Sequence, residues 1–207
     1  MTVLVHGLGV SHRYFRRLRR LLPAAAAPDL DGSSVDALTR SLERSLERPV
    51  LVVANSLGCQ VAAELAVRRP ELVRALVLIG PTWDPAAPSL PRQFLRLLNG
   101  SYREPPSLLP VLAWEYLLWG PPRMLAAARS MLRHPVGERL AAVSAPVVVI
   151  RGARDPICGA AWARLAAAAP PSGRLVVVPG AAHAVHWSHP GAVVEVVEEL
   201  QDELDEG

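Results

Sequence analysis

A chain of 207 residues can bury one substantial core, and with 51% of its residues apolar it is not an intrinsically disordered chain. The formal charge is only +3, and every one of the 22 basic residues is arginine, a bias that with the many Ala, Pro and Val residues reads as GC-rich coding. No run of apolar residues is long enough to span a bilayer, and the opening apolar run from Val3 to Val10 has no basic leader, so a cytoplasmic protein with no membrane partner is expected.

Short β-branched runs alternate with amphipathic stretches along the chain. A strand at Thr2–Val5 precedes a helix at Ser11–Leu22, whose cluster Arg13, Arg16, Arg17, Arg19 and Arg20 reads as a solvated face. No nucleic-acid motif or interleaved aromatics accompany that cluster, so no nucleic-acid partner is expected. A helix at Val35–Arg48 leads to a strand at Pro49–Val53, a helix at Leu57–Arg69 and a strand at Ala75–Ile79. After an interruption come a strand at Pro146–Ile150, a helix at Ala160–Ala169, a strand at Arg174–Val178 and a helix at Ala192–Leu204. The strands are continuously apolar, as strands covered on both faces are, and the alternation predicts an α/β fold with a doubly wound, mostly parallel sheet. The interruption, residues 81–140, is rich in proline and aromatics (Trp83, Phe94, Tyr102, Trp114, Tyr116, Trp119) and reads as helices at Leu90–Leu98, Leu108–Leu118 and Arg123–Arg133. The expected organisation is a core of residues 1–80 and 141–207 with a helical insertion between them. Cys59 and Cys158 are too few for a disulfide framework and read as free thiols.

Four segments carry chemistry. His6-Gly7-Leu8-Gly9 follows the first strand, where a Gly-flanked turn can aim the Leu8 amide into a pocket; His6 reads as the residue that fixes this turn. Ala54-Asn55-Ser56-Leu57-Gly58 joins a strand to a helix, with small residues where the two must approach. Ser56 would stand at the helix N-terminus as a nucleophile, with the Leu57 amide beside it for an oxyanion; alone, the same pattern also describes a serine capping a helix. Arg151-Gly-Ala-Arg-Asp155-Pro156 places a carboxylate after the next-to-last strand, in competition with Asp84 of Thr82-Trp-Asp-Pro85. Gly180-Ala-Ala-His183 offers a base after the last strand, and the interval from Asp155 fits one helix and one strand. His186 and His189 follow at spacings of three with no cysteine or carboxylate nearby, so no metal is expected; they read as pocket wall and helix start. Phe94, Leu98, Trp114 and Leu118, with Trp187, are expected to line the substrate pocket.

The order of oxyanion turn, serine, acid and histidine, each at a strand end, resembles the α/β-hydrolase superfamily, specifically the capped hydrolases related to meta-cleavage-product hydrolases and small esterases. The resemblance implies a Ser56–His183–Asp155 triad, no metal and no organic cofactor, with the helical insertion of residues 81–140 as a cap over the pocket. It also implies a small-molecule substrate whose ester, lactone or thioester bond is hydrolysed. Two other readings stay open: acyl transfer, cyclisation or elimination on the same site in bacterial natural-product biosynthesis, and non-catalytic binding of a small molecule. Such hydrolases place one or two strands ahead of the oxyanion turn, whereas here that strand comes first. With Ala24–Pro28 as a minimal edge strand, about six strands are expected, and an exposed edge would favour a homodimer.

Overall fold

The computed structural model describes residues 1–82, 84 and 89–206. Trp83, one of the insertion's aromatics, lies outside the described residues. Five strands, β1 (Thr2–Val5), β2 (Val50–Asn55), β3 (Val73–Ile79), β4 (Val147–Gly152) and β5 (Gly173–Val178), form one sheet in that order, and every pairing is parallel. The expected extra edge strand is reduced to a single bridge. Ala26 accepts from the Leu4 amide at 2.8 Å and donates to the Thr2 carbonyl at 3.0 Å, so one residue pairs with β1. Pro23 and Pro28 bracket this stretch, and because neither carries an amide hydrogen they limit how far a ladder can extend.

Side chains alternate across the sheet with the period of two that a pleat imposes. Val50, Val52 and Ala54 of β2 pack on one side with Leu76 and Leu78 of β3, beneath α2 (Val35–Arg44) and α3 (Leu57–Arg68). Leu51 and Val53 point the other way with Val77, Ile79, Val148 and Ile150, against Phe15, Leu18, Val193 and Val197. Those last four belong to a short 3-10 turn, to α1 (Arg16–Leu21) and to a long C-terminal helix (Pro190–Glu206). Burial on both faces is the physical cause of the unbroken apolar runs.

Between β3 and β4 lie α4 (Leu90–Ser101), α5 (Leu109–Trp119), α6 (Pro121–Arg133) and α7 (Val136–Ala141). Two polar residues on α3 fasten this stretch to the core. Gln60 donates to the Met131 carbonyl at 3.1 Å, and the buried Glu64 carboxylate meets His134 at 3.0 Å, Arg68 at 2.7 Å and Arg139 at 2.9 Å. A buried carboxylate is tolerated there because Arg68 and His134 hydrogen-bond it and the Arg139 guanidinium adds a nearby positive charge. After β4 come α8 (Ala160–Ala168), and after β5 the one-turn α9 (Val185–Ser188) and α10, the C-terminal helix. Among the described residues no helix is long and apolar enough to cross a membrane.

The contact between α3 and β1 depends on Gly58. A Cβ at this position would come within 2.5 Å of the Val5 carbonyl oxygen and 2.7 Å of the His6 carbonyl oxygen, both fixed backbone atoms. Gly58→Ala is therefore expected to lower stability by about 1–3 kcal/mol, the usual cost of overpacking, read as a fall in the urea midpoint with unchanged m-value.

Candidate active site

A parallel sheet ends all its strands at one edge, and the register here aligns them: Val5 faces Ala54, Asn55 faces Ile79, and Ile79 faces Ile150. The loops that leave this edge bring the sequence-predicted residues together, where open α/β sheets offer a binding crevice.

Ser56 sits between β2 and α3 with φ 57°, the one non-glycine residue with positive φ among the described residues. Its amide donates to the Ile79 carbonyl at 3.0 Å, which holds the reversed backbone in place. A serine in this region stores about 1–3 kcal/mol of strain, and the surrounding elements over-determine it. Gly7 lies against it, since a Cβ there would stand 3.2 Å from the Ser56 Cβ. His6 fixes the Gly7–Leu8 turn. Its Nε2 accepts from the Leu30 amide at 3.2 Å and its Nδ1 lies 3.1 Å from the Gly7 carbonyl, which assigns the proton to Nδ1. Burial lowers the His6 pKa, so it stays neutral and structural. Leu8 lines the cavity described below, while the Leu57 side chain is buried in the core and only its amide stands at the first turn of α3.

His183 and Asp155 form a bonded pair, Nδ1 to Oδ2 at 2.8 Å, with the histidine side chain 9% exposed and the carboxylate fully buried. The other carboxylate oxygen accepts from the amides of Ile157 at 2.8 Å and Cys158 at 3.1 Å. Arg151 holds the whole turn by donating to the carbonyls of Cys158, Asp155 and Ala153. Burial is the largest influence on His183 and pulls its pKa down, but the charge and hydrogen bond of Asp155, helped by Glu104, outweigh it and leave the pKa raised. Gly80 permits this close packing: its φ is +55°, and a Cβ would approach His183 Nδ1 to 2.8 Å. Asn55 links the parts, donating to the carbonyls of Ile79 at 3.1 Å and His183 at 3.4 Å. The competing acid, Asp84, is engaged by the Arg96 guanidinium instead.

Ser56 and His183 open onto a cavity of about 740 Å³ beneath the helices between β3 and β4, within the usual size for a small-molecule site. Of the five expected wall residues only Phe94 lines it; Leu98, Trp114, Leu118 and Trp187 do not. On α4 the cavity is lined by Leu90, Gln93, Phe94, Leu97, Gly100 and Ser101, and Leu98 falls outside it. On α5 it is Leu112, Ala113, Tyr116 and Leu117, which leaves Trp114 56% exposed and Leu118 over a smaller polar hollow. The sequence LPVLAWEYLLW is apolar on nearly every side, so its periodicity does not reveal which face is inward. Trp187 is buried beside Tyr14 and Leu108, donates to Ser107 Oγ at 3.2 Å and carries Arg16 and Arg17 over its ring. That contact absorbs part of the arginine cluster.

His186, expected as a pocket wall, is instead fully buried between the rings of Tyr14 and Phe15, and burial drives its pKa to about 3. His189 precedes α10, as its sequence position implies, with Nδ1 2.9 Å from Ser188 Oγ. Among the described residues no three of His, Cys, Asp or Glu gather in a metal-holding group. Cys59 and Cys158 are free and buried. Glu104 and Tyr116 also line the cavity and are absent from the sequence-based candidates.

Comparison with known proteins places this geometry in context. The family model described as "Alpha/beta hydrolase family" matches residues 2–196. Lipase LipV of Mycobacterium tuberculosis is 38% identical over 92 residues, 37% of this chain. The biotin biosynthesis bifunctional protein BioHC of Cellvibrio japonicus is 23% identical across 98% of this chain. The chain spans 35% of the first relative's length and 47% of the second's. The solved structure of a thermophilic esterase from Thermogutta terrifontis superimposes with a TM-score of 0.82 over 98% of this chain and 89% of that one. At 20% identity that likeness speaks to fold.

Proposed function

This chain belongs to the alpha/beta hydrolase family, and from that membership we propose that it hydrolyses the ester, lactone or thioester bond of a small, largely apolar substrate through Ser56, His183 and Asp155. The observation that carries this reading is the 2.8 Å His183–Asp155 bond beside a serine in left-handed geometry on the same cavity.

The chemistry follows from the roles of the groups. Ser56 Oγ attacks the carbonyl carbon while His183 takes the hydroxyl proton, and the Leu8 and Leu57 amides stabilise the oxyanion. Collapse breaks the bond to the leaving alkoxide or thiolate, which receives that proton, and leaves an acyl group on Ser56. Water then repeats the sequence and releases the acid. Asp155 keeps the imidazole oriented and stabilises its cation. In this reading residues 81–140 are a cap, and 1–80 with 141–207 are the catalytic core.

Hydrolysis requires one solvent oxygen in the product. In ¹⁸O-labelled water, a panel of p-nitrophenyl acyl esters is expected to yield acids carrying one labelled oxygen; unlabelled acyl products, or esters to an added alcohol, would favour transfer or cyclisation instead. The cavity wall is mostly apolar, and no arginine is among the described residues lining it. A substrate tail ending in a carboxylate would be buried without a cationic partner, so at equal length such esters are expected to react about tenfold or more slower in kcat/KM than alkyl ones.

The raised His183 pKa sets the pH dependence. His183 must be neutral to accept a proton, so kcat/KM is expected to fall on acidification with a midpoint above 6.5, the ordinary histidine value. A pH–rate profile of ester hydrolysis checks this, and a midpoint below 6.5 would contradict the assigned pairing.

A further inference from the structure

Glu104 stands out among the cavity residues as an acidic side chain in a mostly apolar wall. It lies in the turn between α4 and the 3-10 turn Pro106–Leu108 that precedes α5. Its Oε1 accepts from the Ala184 amide at 2.9 Å, across 80 residues of sequence, and the neighbouring His183 amide also faces the carboxylate. Its Oε2 is buried with no hydrogen-bond partner among the described residues.

A carboxyl group in such a place is costly, because burial penalises its charge, and burial is the leading reason its pKa is raised. The same position filled by leucine or methionine would extend the apolar wall without that penalty. What the carboxylate supplies is a charge-assisted acceptor for the backbone at the histidine itself, stronger than a neutral acceptor would be. Asp155 fixes the imidazole through its ring nitrogen, and Asn55 holds the His183 carbonyl. The amide on the following residue is left to Glu104.

Resting on the Ser56–His183–Asp155 reading, we propose that Glu104 is a positioning residue that holds the His183–Ala184 turn and thereby presents the His183 ring to Ser56. Its role is exerted through the backbone, so it belongs to the machinery without touching the reacting atoms. Misplacing a catalytic group by about an ångström can cost as much as a hundredfold in rate, which sets the scale of the effect.

The test is the rate of covalent labelling by a small fluorophosphonate, measured on the full chain as parent, Glu104→Ala and Glu104→Gln, with a thermal melt of each. Labelling depends on activation of Ser56 and needs little of the acyl pocket. Glu104→Ala is expected to label on the order of tenfold to a hundredfold slower while melting cooperatively. Glu104→Gln keeps an amide oxygen to accept from Ala184 and should recover most of that loss, whereas Glu104→Met, of similar volume but with no such acceptor, should stay slow; a Met variant that labels like the Gln variant would reduce the role to packing and overturn the proposal. If Glu104→Ala fails to fold, Glu104→Asp carries the same test, since one methylene fewer withdraws the acceptor and retains the charge. Labelling at the parent rate in the folded Ala or Asp variant overturns the proposal while leaving the triad intact. A parent that does not label at all removes the triad reading, and this proposal with it.

Discussion

Ser56→Ala is expected to lower ester turnover by about five to six orders of magnitude, the scale on which loss of a nucleophile acts when its partners work as a unit. No other nucleophilic side chain among the described residues is positioned to take its place. Ser56 occupies the turn between β2 and α3 and opens on the cavity beside His183. The thiol nearest in sequence, Cys59, is buried in α3 with Sγ 3.4 Å from the Ala54 carbonyl, and burial holds its pKa well above the ordinary range. It cannot substitute. The fold should survive, because the Ser56 amide donates a hydrogen bond to the Ile79 carbonyl and that bond does not involve the hydroxyl. A companion variant separates function from strain. Ser56→Gly is equally without a nucleophile but adopts positive φ freely, so it should be about 1–2 kcal/mol more stable than Ser56→Ala in urea unfolding. Equal stabilities would mean that the left-handed turn carries no strain.

Asp155→Asn is expected to cost about three to four orders of magnitude in kcat, with KM little changed. The carboxylate does two things at once. Its Oδ2 accepts a hydrogen bond from His183 Nδ1–H and so leaves Nε2 free to accept, and its Oδ1 accepts from the amides of Ile157 and Cys158. An asparagine can satisfy one set, but its NH₂ group then meets either the imidazole or the amides. If the amides keep the oxygen, the NH₂ faces Nδ1 and forces the proton onto Nε2, the wrong tautomer for a base. Loss of the negative charge also removes the influence that lifts the His183 pKa, so the acid limb of any residual activity should move down in pH. Kinetics of the variant across the neutral range read both effects together. A variant with near-parent kcat would return Asp84 to consideration, although Arg96 engages it.

Much of this arrangement was legible in the sequence because its parts are local. Continuous apolar runs mark strands buried on both faces, and in a parallel sheet the residues just after them share an edge without any further information. That is why Ser56, Asp155 and His183 could be expected at one edge of the sheet from the chain alone. Asp155 and Asp84 both follow strands, and only the contacts separate them: one meets an imidazole, the other a guanidinium. The walls of the cavity were not legible. Phe94 lines it, while Leu98, Trp114, Leu118 and Trp187 do not; α5, which carries Trp114 and Leu118, is apolar all round, so its periodicity conceals which face tertiary packing turns inward. Trp187 is committed to the turn under Tyr14 and to the arginines above it. Glu104 offered no signal at all: a glutamate followed by two prolines looks like an ordinary solvated turn, and its contact with Ala184 joins segments far apart in the chain. The tethers Gln60 and Glu64 were hidden for the same reason, since polar residues on an amphipathic helix ordinarily face water.

Activation of Ser56 as a nucleophile is read out by the intact-protein mass after exposure to excess fluorophosphonate. A single adduct is expected on the parent chain and none on Ser56→Ala, with both proteins folded. An unmodified parent, or an adduct that persists in Ser56→Ala, would contradict it.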